Sequence, residues 1–169
     1  KPHVDFDLYS DRLDLGSNFI FPEHGMSMLA VAKTEGTNGN QGNVLSFGGG
    51  NGIYRITNYG STFQSGYNNH NGSNISVPSN TYNLLGSSIE VGTNKDLKSY
   101  VNGVHVKTDI KSINPMTPAY RTDYSGTYGS SNNAGPITIG DQSKNYKTSS
   151  RGFRGQIQEI LIYDKVLND

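Results

Sequence analysis

Two stretches of the chain mix aromatic rings with directed hydrogen-bonding groups. The first runs through Tyr54, Arg55, Asn58 and Tyr59 and continues to Tyr67, Asn69 and His70. The second holds Tyr120, Arg121, Asp123 and Tyr124. That mixture suits a pyranose. Asn, Asp and Arg meet its hydroxyls in directed, often bidentate, bonds. An aromatic ring takes its apolar C–H face. Tyrosines also fill the rims of β-structures, so each ring has a structural reading beside the binding one. The chain has no Trp, which removes the strongest stacking ring.

Catalytic arrangements are harder to find. A retaining glycanase needs two carboxylates about 5 Å apart. On a strand, that means residues two or four apart on one face. Asp5 and Asp7 have the spacing but stand at the N-terminal end of the chain. Glu159 has no carboxylate partner at strand spacing, and no Glu-x-Asp-x-x-Glu run exists. No Gly-x-Ser-x-Gly elbow is present to expose a nucleophile. The four histidines, His3, His24, His70 and His105, lack the spacing of a zinc site. The triplet Gly48-Gly49-Gly50 precedes no helical pattern, so it predicts no phosphate cradle.

Composition narrows the class further. A chain of 169 residues fits one domain with a core of its own. Net charge is zero, which argues against a phosphate-neutralising surface and so against nucleic acid. Charged residues make up 17% of the chain, under the roughly 25% usual in soluble domains. Gly, Asn, Ser, Thr and Tyr supply the polarity instead. With no cysteine, thiol catalysis, thiolate zinc sites and disulfides are excluded. No apolar run approaches the roughly 20 residues of a membrane helix, so membrane insertion is not expected. The first residue is Lys1, so the chain is read as a processed product or a piece of a larger one.

The elements that must position these residues read as strands. No window repeats apolar residues at helical spacing over three turns. Short alternating runs separated by Gly, Asn and Ser predict an antiparallel sandwich or barrel. Met26 to Lys33 is apolar on both faces and predicts a central strand. Val44–Phe47, Ile53–Thr57, Thr62–Tyr67 and Leu84–Val91 predict further strands, with a polar tip at Asn68–Asn74. Asn102-Gly103 between Tyr100-Val101 and Val104-His105-Val106 predicts a two-residue type I′ hairpin. Thr108 to Pro136 reads as one long connection. In the last strand, Gln156 to Tyr163, the apolar parity shifts after Ile157, which predicts a bulge near Gln158-Glu159 or burial on both faces.

Three stretches carry a family resemblance. They are Arg12-Leu13-Asp14-Leu15-Gly16 with the strand after it, Lys98-Ser99-Tyr100-Val101-Asn102-Gly103-Val104, and Ile137-Thr138-Ile139-Gly140 with Gly152 to Leu167. Together they resemble the laminin-G-like branch of the concanavalin-A-like lectin/glucanase superfamily. Ala32 stands where most members carry Trp. The resemblance implies an all-β, two-sheet antiparallel sandwich (a jelly roll) in one domain, with the closing strand beside the first. It also brings calcium into view, since such domains often hold one at the sandwich rim. Asp141, Asp123 and Asn133 are the candidates, because calcium takes six to eight oxygens from carboxylates, amides and carbonyls. An Asx turn is the alternative role for Asp141.

The expected function is a non-catalytic carbohydrate-binding or adhesion module that is extracellular, on a cell surface or on a virion. Its partner would be a glycan or a surface protein. A structural or protein-interaction domain of a virion or surface assembly is the alternative. A glycanase is disfavoured by the missing carboxylate pair, and a polysaccharide lyase by the absence of paired Arg, Gln-x-His and Tyr motifs.

Overall fold

The computed structural model describes residues 2–7, 11, 13–15, 24–35, 42–47, 54–67, 70–113, 137–140 and 152–167. They form β1 (Val4–Phe6), β2 (Leu13–Asp14), β3 (Gly25–Thr34), β4 (Asn43–Phe47) and β5 (Tyr54–Tyr59). Then come β6 (Thr62–Tyr67), β7 (His70–Asn71), β8 (Ile75–Ser76) and β9 (Asn83–Glu90). β10 (Gly92–Val101), β11 (Val104–Ile113), β12 (Ile137–Ile139) and β13 (Gly155–Tyr163) complete the set. Among the described residues no helix is long and apolar enough to cross a membrane. Two antiparallel sheets result. One runs β1-β13-β3-β9-β10-β11, and the other β2-β12-β4-β5-β6-β7, with β8 also on β6. The fold is the expected all-β sandwich.

The sheets meet through alternate side chains. Met26, Met28, Ala30 and Ala32 of β3 are buried against the second sheet, while Leu29 and Val31 are half-buried on the other face. β3 lies between β13 and β9, as its two apolar faces predict. Leu85 and Ile89 of β9 and Leu97 of β10 extend this layer. Leu45, Ile56, Phe63, Ile137 and Ile139 close on it from the other sheet. The first and last strands pair, Val4 with Ile157 and Phe6 with Gly155. The bulge falls where parity shifts, between Ile157 and Glu159. It lets Ile157, Ile160 and Ile162 all oppose inward residues of β3.

The resemblance motifs have physical reasons. Gly140 has φ of +87°, and a Cβ there would lie 2.2 Å from the Phe6 ring. Only glycine fits. Its carbonyl accepts from the Phe153 amide at 2.7 Å. Phe6 and Phe153 then meet edge to face, with centroids 6.2 Å apart. At the hairpin, Asn102 and Gly103 both have positive φ, 53° and 80°. That fits the type I′ turn. Asn102 does more than turn the chain. Its Oδ1 accepts from the Leu84 amide at 2.9 Å, and its own amide donates to the Leu84 carbonyl at 2.8 Å. The turn is thereby clamped to β9.

Three expectations need correcting. Residues 108–113 are strand, not connection, because β10–β11 pairing continues from the turn to Gly92–Ile113. β10 starts at Gly92. Its polar run Thr93-Asn94-Lys95-Asp96 hides the strand, since its outer positions face water. The tip at 68–74 contains β7, whose His70 pairs with Tyr67.

Replacing Asn102 with Ala removes a side-chain acceptor and a residue type that tolerates positive φ better than alanine does. Urea denaturation is expected to show a loss of about 1–3 kcal/mol. An unchanged midpoint would mean that the clamp is idle.

Candidate functional site

Strand alternation decides which sequence candidates can share a surface. The buried Ser65 hydroxyl of β6 meets Ser99 of β10 at 2.8 Å across the two sheets. Ser65 therefore points into the sandwich, and Gly66 points out. Arg55 pairs with Gly66, and its guanidinium lies over that glycine. Arg55 is thus on the outer face of the second sheet. Ser46 pairs with Arg55, and Thr138 pairs with Ser46. These three side chains form one cross-strand row. Thr57 and Gln64, paired with each other, form the next.

This outer face is polar and buried. Arg55 is 5% exposed, and Ser46, Thr57, Gln64 and Thr138 are also buried. The Thr57 hydroxyl donates to the Gln64 carbonyl at 3.1 Å. The Gln64 amide donates to Asn74. Among the described residues, Ser46 Oγ and Gln64 Oε1 have no hydrogen-bond partner. Buried polar atoms are normally satisfied. Here Ser46 and Gln64 keep hydrogen-bonding capacity beside Arg55 and Thr138, which interact with other groups. Such a set has the chemistry to bond a polyhydroxylated molecule, which would have to displace whatever buries it, and it includes neither a nucleophile–base pair nor a carboxylate pair.

The sequence candidates divide on this geometry. Arg55 is brought to the outer face. Tyr54 and Asn58 are not, and their expected ligand contact is corrected here. Tyr54 is fully buried in the inter-sheet core, beside Ser87. Asn58 pairs with the core residue Phe63 and is buried with it. Tyr59, Tyr67 and His70 lie in β5, β6 and β7, but their side chains lie outside the description, as does all of Asn69. Tyr120, Arg121, Asp123 and Tyr124 also lie outside the described residues, as do the metal candidates Asp141, Asp123 and Asn133. Sequence reading missed Ser46, Thr57, Gln64 and Thr138. A polar residue between apolar ones, as in Val44-Leu45-Ser46-Phe47, was the available signal. The register that aligns these residues across strands is not visible in one sequence.

The other sheet holds a second polar-aromatic group. The Lys33 ammonium lies 2.8 Å from Glu35 and 5.6 Å from the Tyr82 ring centroid. The Tyr82 hydroxyl donates to Gln156. A hydrogen bond to Glu35 raises the Lys33 pKa, against a smaller effect of desolvation. These groups satisfy one another.

No protein-family model matches the sequence, and no curated protein sequence matches it. Solved structures do match in fold. The leech intramolecular trans-sialidase, solved with 2,7-anhydro-Neu5Ac, superposes over 100% of this chain and 26% of its own, at 19% identity and a TM-score of 0.66. A candidate carbohydrate-binding protein from Bacteroides ovatus covers 98% of this chain and 44% of its own, at 12% identity and a TM-score of 0.63. Botulinum neurotoxin type C, whose cell entry depends on two ganglioside molecules, covers 93% and 37%, at 12% identity and a TM-score of 0.57. The chain spans about a quarter of the trans-sialidase. The likeness shows the fold.

Two expected outcomes test this geometry. A Cβ at Gly66 would lie 2.9 Å from Arg55 Nε. Gly66→Ala should cost about 1–3 kcal/mol. In an Arg55→Ala background most of that cost should vanish in urea melts, giving a coupling energy of about 1 kcal/mol or more. Strict additivity would remove Arg55 from that position. For Tyr54, burial holds the phenol well above its ordinary pKa, with Ser87 partly opposing the shift. Its contribution is complete below the unfolded phenol pKa of about 10 and is lost as pH rises beyond that. Tyr54→Phe should therefore lose less stability between pH of about 9 and 11 than the parent chain, by roughly 1 kcal/mol.

Proposed function

We propose that this chain is a non-catalytic carbohydrate-binding module of the laminin-G/concanavalin-A-like kind, acting outside the cytoplasm, with its glycan held at the outer face of the second sheet around Arg55. One observation carries the proposal. A buried arginine, hydroxyls and a carboxamide share that face, and Ser46 and Gln64 keep unmet hydrogen-bonding capacity there. Sugar hydroxyls supply the matching donors and acceptors. The fold likeness adds support: the neurotoxin depends on gangliosides for entry, and the Bacteroides protein is a carbohydrate-binding candidate.

A protein-interaction module, including one in a virion or surface assembly, is the second reading. It is favoured by the outer row of the other sheet. Leu161, Leu29, Gly86, Tyr100 and His105 pair in sequence across five strands there. Leu161 and His105 are exposed, and Leu29 and Tyr100 half-buried.

A glycan array read with the parent chain and with Arg55→Gln tests the first reading. Binding of the parent to a defined glycan set, weakened at least about tenfold in the variant, is expected. Retained binding in Arg55→Gln would move the site elsewhere. No binding to any glycan would favour the protein-interaction reading. Repeating the array with a chelator tests the calcium that Asp141, Asp123 and Asn133 would hold. Reducing-end release from the bound glycan should stay at background.

A further inference from the structure

We propose that β11 is a self-complementary edge through which two copies of this chain pair antiparallel about Thr108, joining their first sheets into one. β11 ends its sheet, and among the described residues its only strand partner is β10. The opposite edge, β1, has three residues, whereas β11 has ten. Val104, Val106 and Ile110 are 62%, 41% and 58% exposed. A long edge strand with exposed apolar side chains is a template for another strand, and lone domains usually shorten or blunt such an edge.

The sequence of β11 selects the partner. Antiparallel pairing about Thr108 sets Lys107 opposite Asp109, twice, a favourable pair. Val106, which would come level with Ile110, is the extra residue of a bulge against β10, so the regular ladder centres on residues 107–109. Lys107 and Asp109 share a face, since they pair with the inward residues Ser99 and Leu97 of β10. Lys107 is exposed. Asp109 is held in place by Ser73, whose amide and hydroxyl both donate to its carboxylate at 2.9 Å. A carboxylate keeps further lone pairs for a lysine. Neighbouring registers fail. Centring on residue 107 opposes Lys107 to itself, and centring on residue 109 opposes Asp109 to itself. Like charges directly opposite destabilise a pair. Pairing about a two-fold axis is also closed, so it stops at two copies.

Sedimentation of the parent chain from about 1 µM to about 1 mM should show a reversible monomer–dimer equilibrium. Lys107→Asp should raise the dimer Kd about tenfold or more. Register is read separately, because the chain has no cysteine of its own. Thr108→Cys should oxidise to a covalent dimer, since residue 108 faces its own copy. Val106→Cys and Ile110→Cys should not, because each lies about 14 Å along the strand from its copy. A parent chain that stays monomeric throughout overturns the proposal. So does a Kd unmoved by Lys107→Asp, or cross-linking at position 106 or 110 as fast as at 108.

Discussion

Side chains alternate across a strand, so Tyr54 and Arg55 stand on opposite faces of β5. That pleat governs the second sheet. It sends Tyr54 and Ile56 into the sandwich and Arg55 and Thr57 out of it. Burying a tyrosine, a serine and apolar side chains on one face fixes the register of the sheet, because a one-residue slip would bury the guanidinium in the core. With the register fixed, Ser46 and Thr138 have no choice but to line up beside Arg55.

The core that enforces this is only partly apolar. Met26, Met28, Ile56, Phe63, Leu85, Ile89 and Leu97 supply most of the burial. Ser65 and Ser99 add a hydrogen bond between the sheets, and Asp109 ties Ser73, through its amide and hydroxyl, to the edge of the other sheet. Hydrogen bonds of this kind contribute modestly to stability, but leaving one partner alone in the core is costly. They therefore act on alignment. A sliding of one sheet over the other would strand Ser65 and Asp109 together.

Much of the sandwich was legible in the sequence because local chemistry dictated it. Asn102-Gly103 can hardly avoid a type I′ turn. Met26 to Lys33 shows two apolar faces, and the parity shift after Ile157 marks the bulge. β10 was hidden because its first half is a polar and charged run and only Leu97 and Ser99 report the buried face. The candidate site was half legible. Arg55 stood out by type, yet Tyr54 and Asn58 beside it looked equally suited. Adjacent residues in a strand cannot serve one surface, and the sequence does not say which parity faces inward. Ser46, Thr57, Gln64 and Thr138 are unremarkable residues, and only cross-strand register brings them together.

The account turns on which face meets the glycan. Backbone amide shifts, followed by NMR as a bound glycan is titrated, test this most directly. The largest changes should fall on Ser46, Arg55, Thr57, Gln64, Gly66 and Thr138, with the outer face of the first sheet at Leu29, Lys98 and Tyr100 unmoved. Changes concentrated on Leu29, Lys98 and Tyr100, with Arg55 and its neighbours silent, would contradict it.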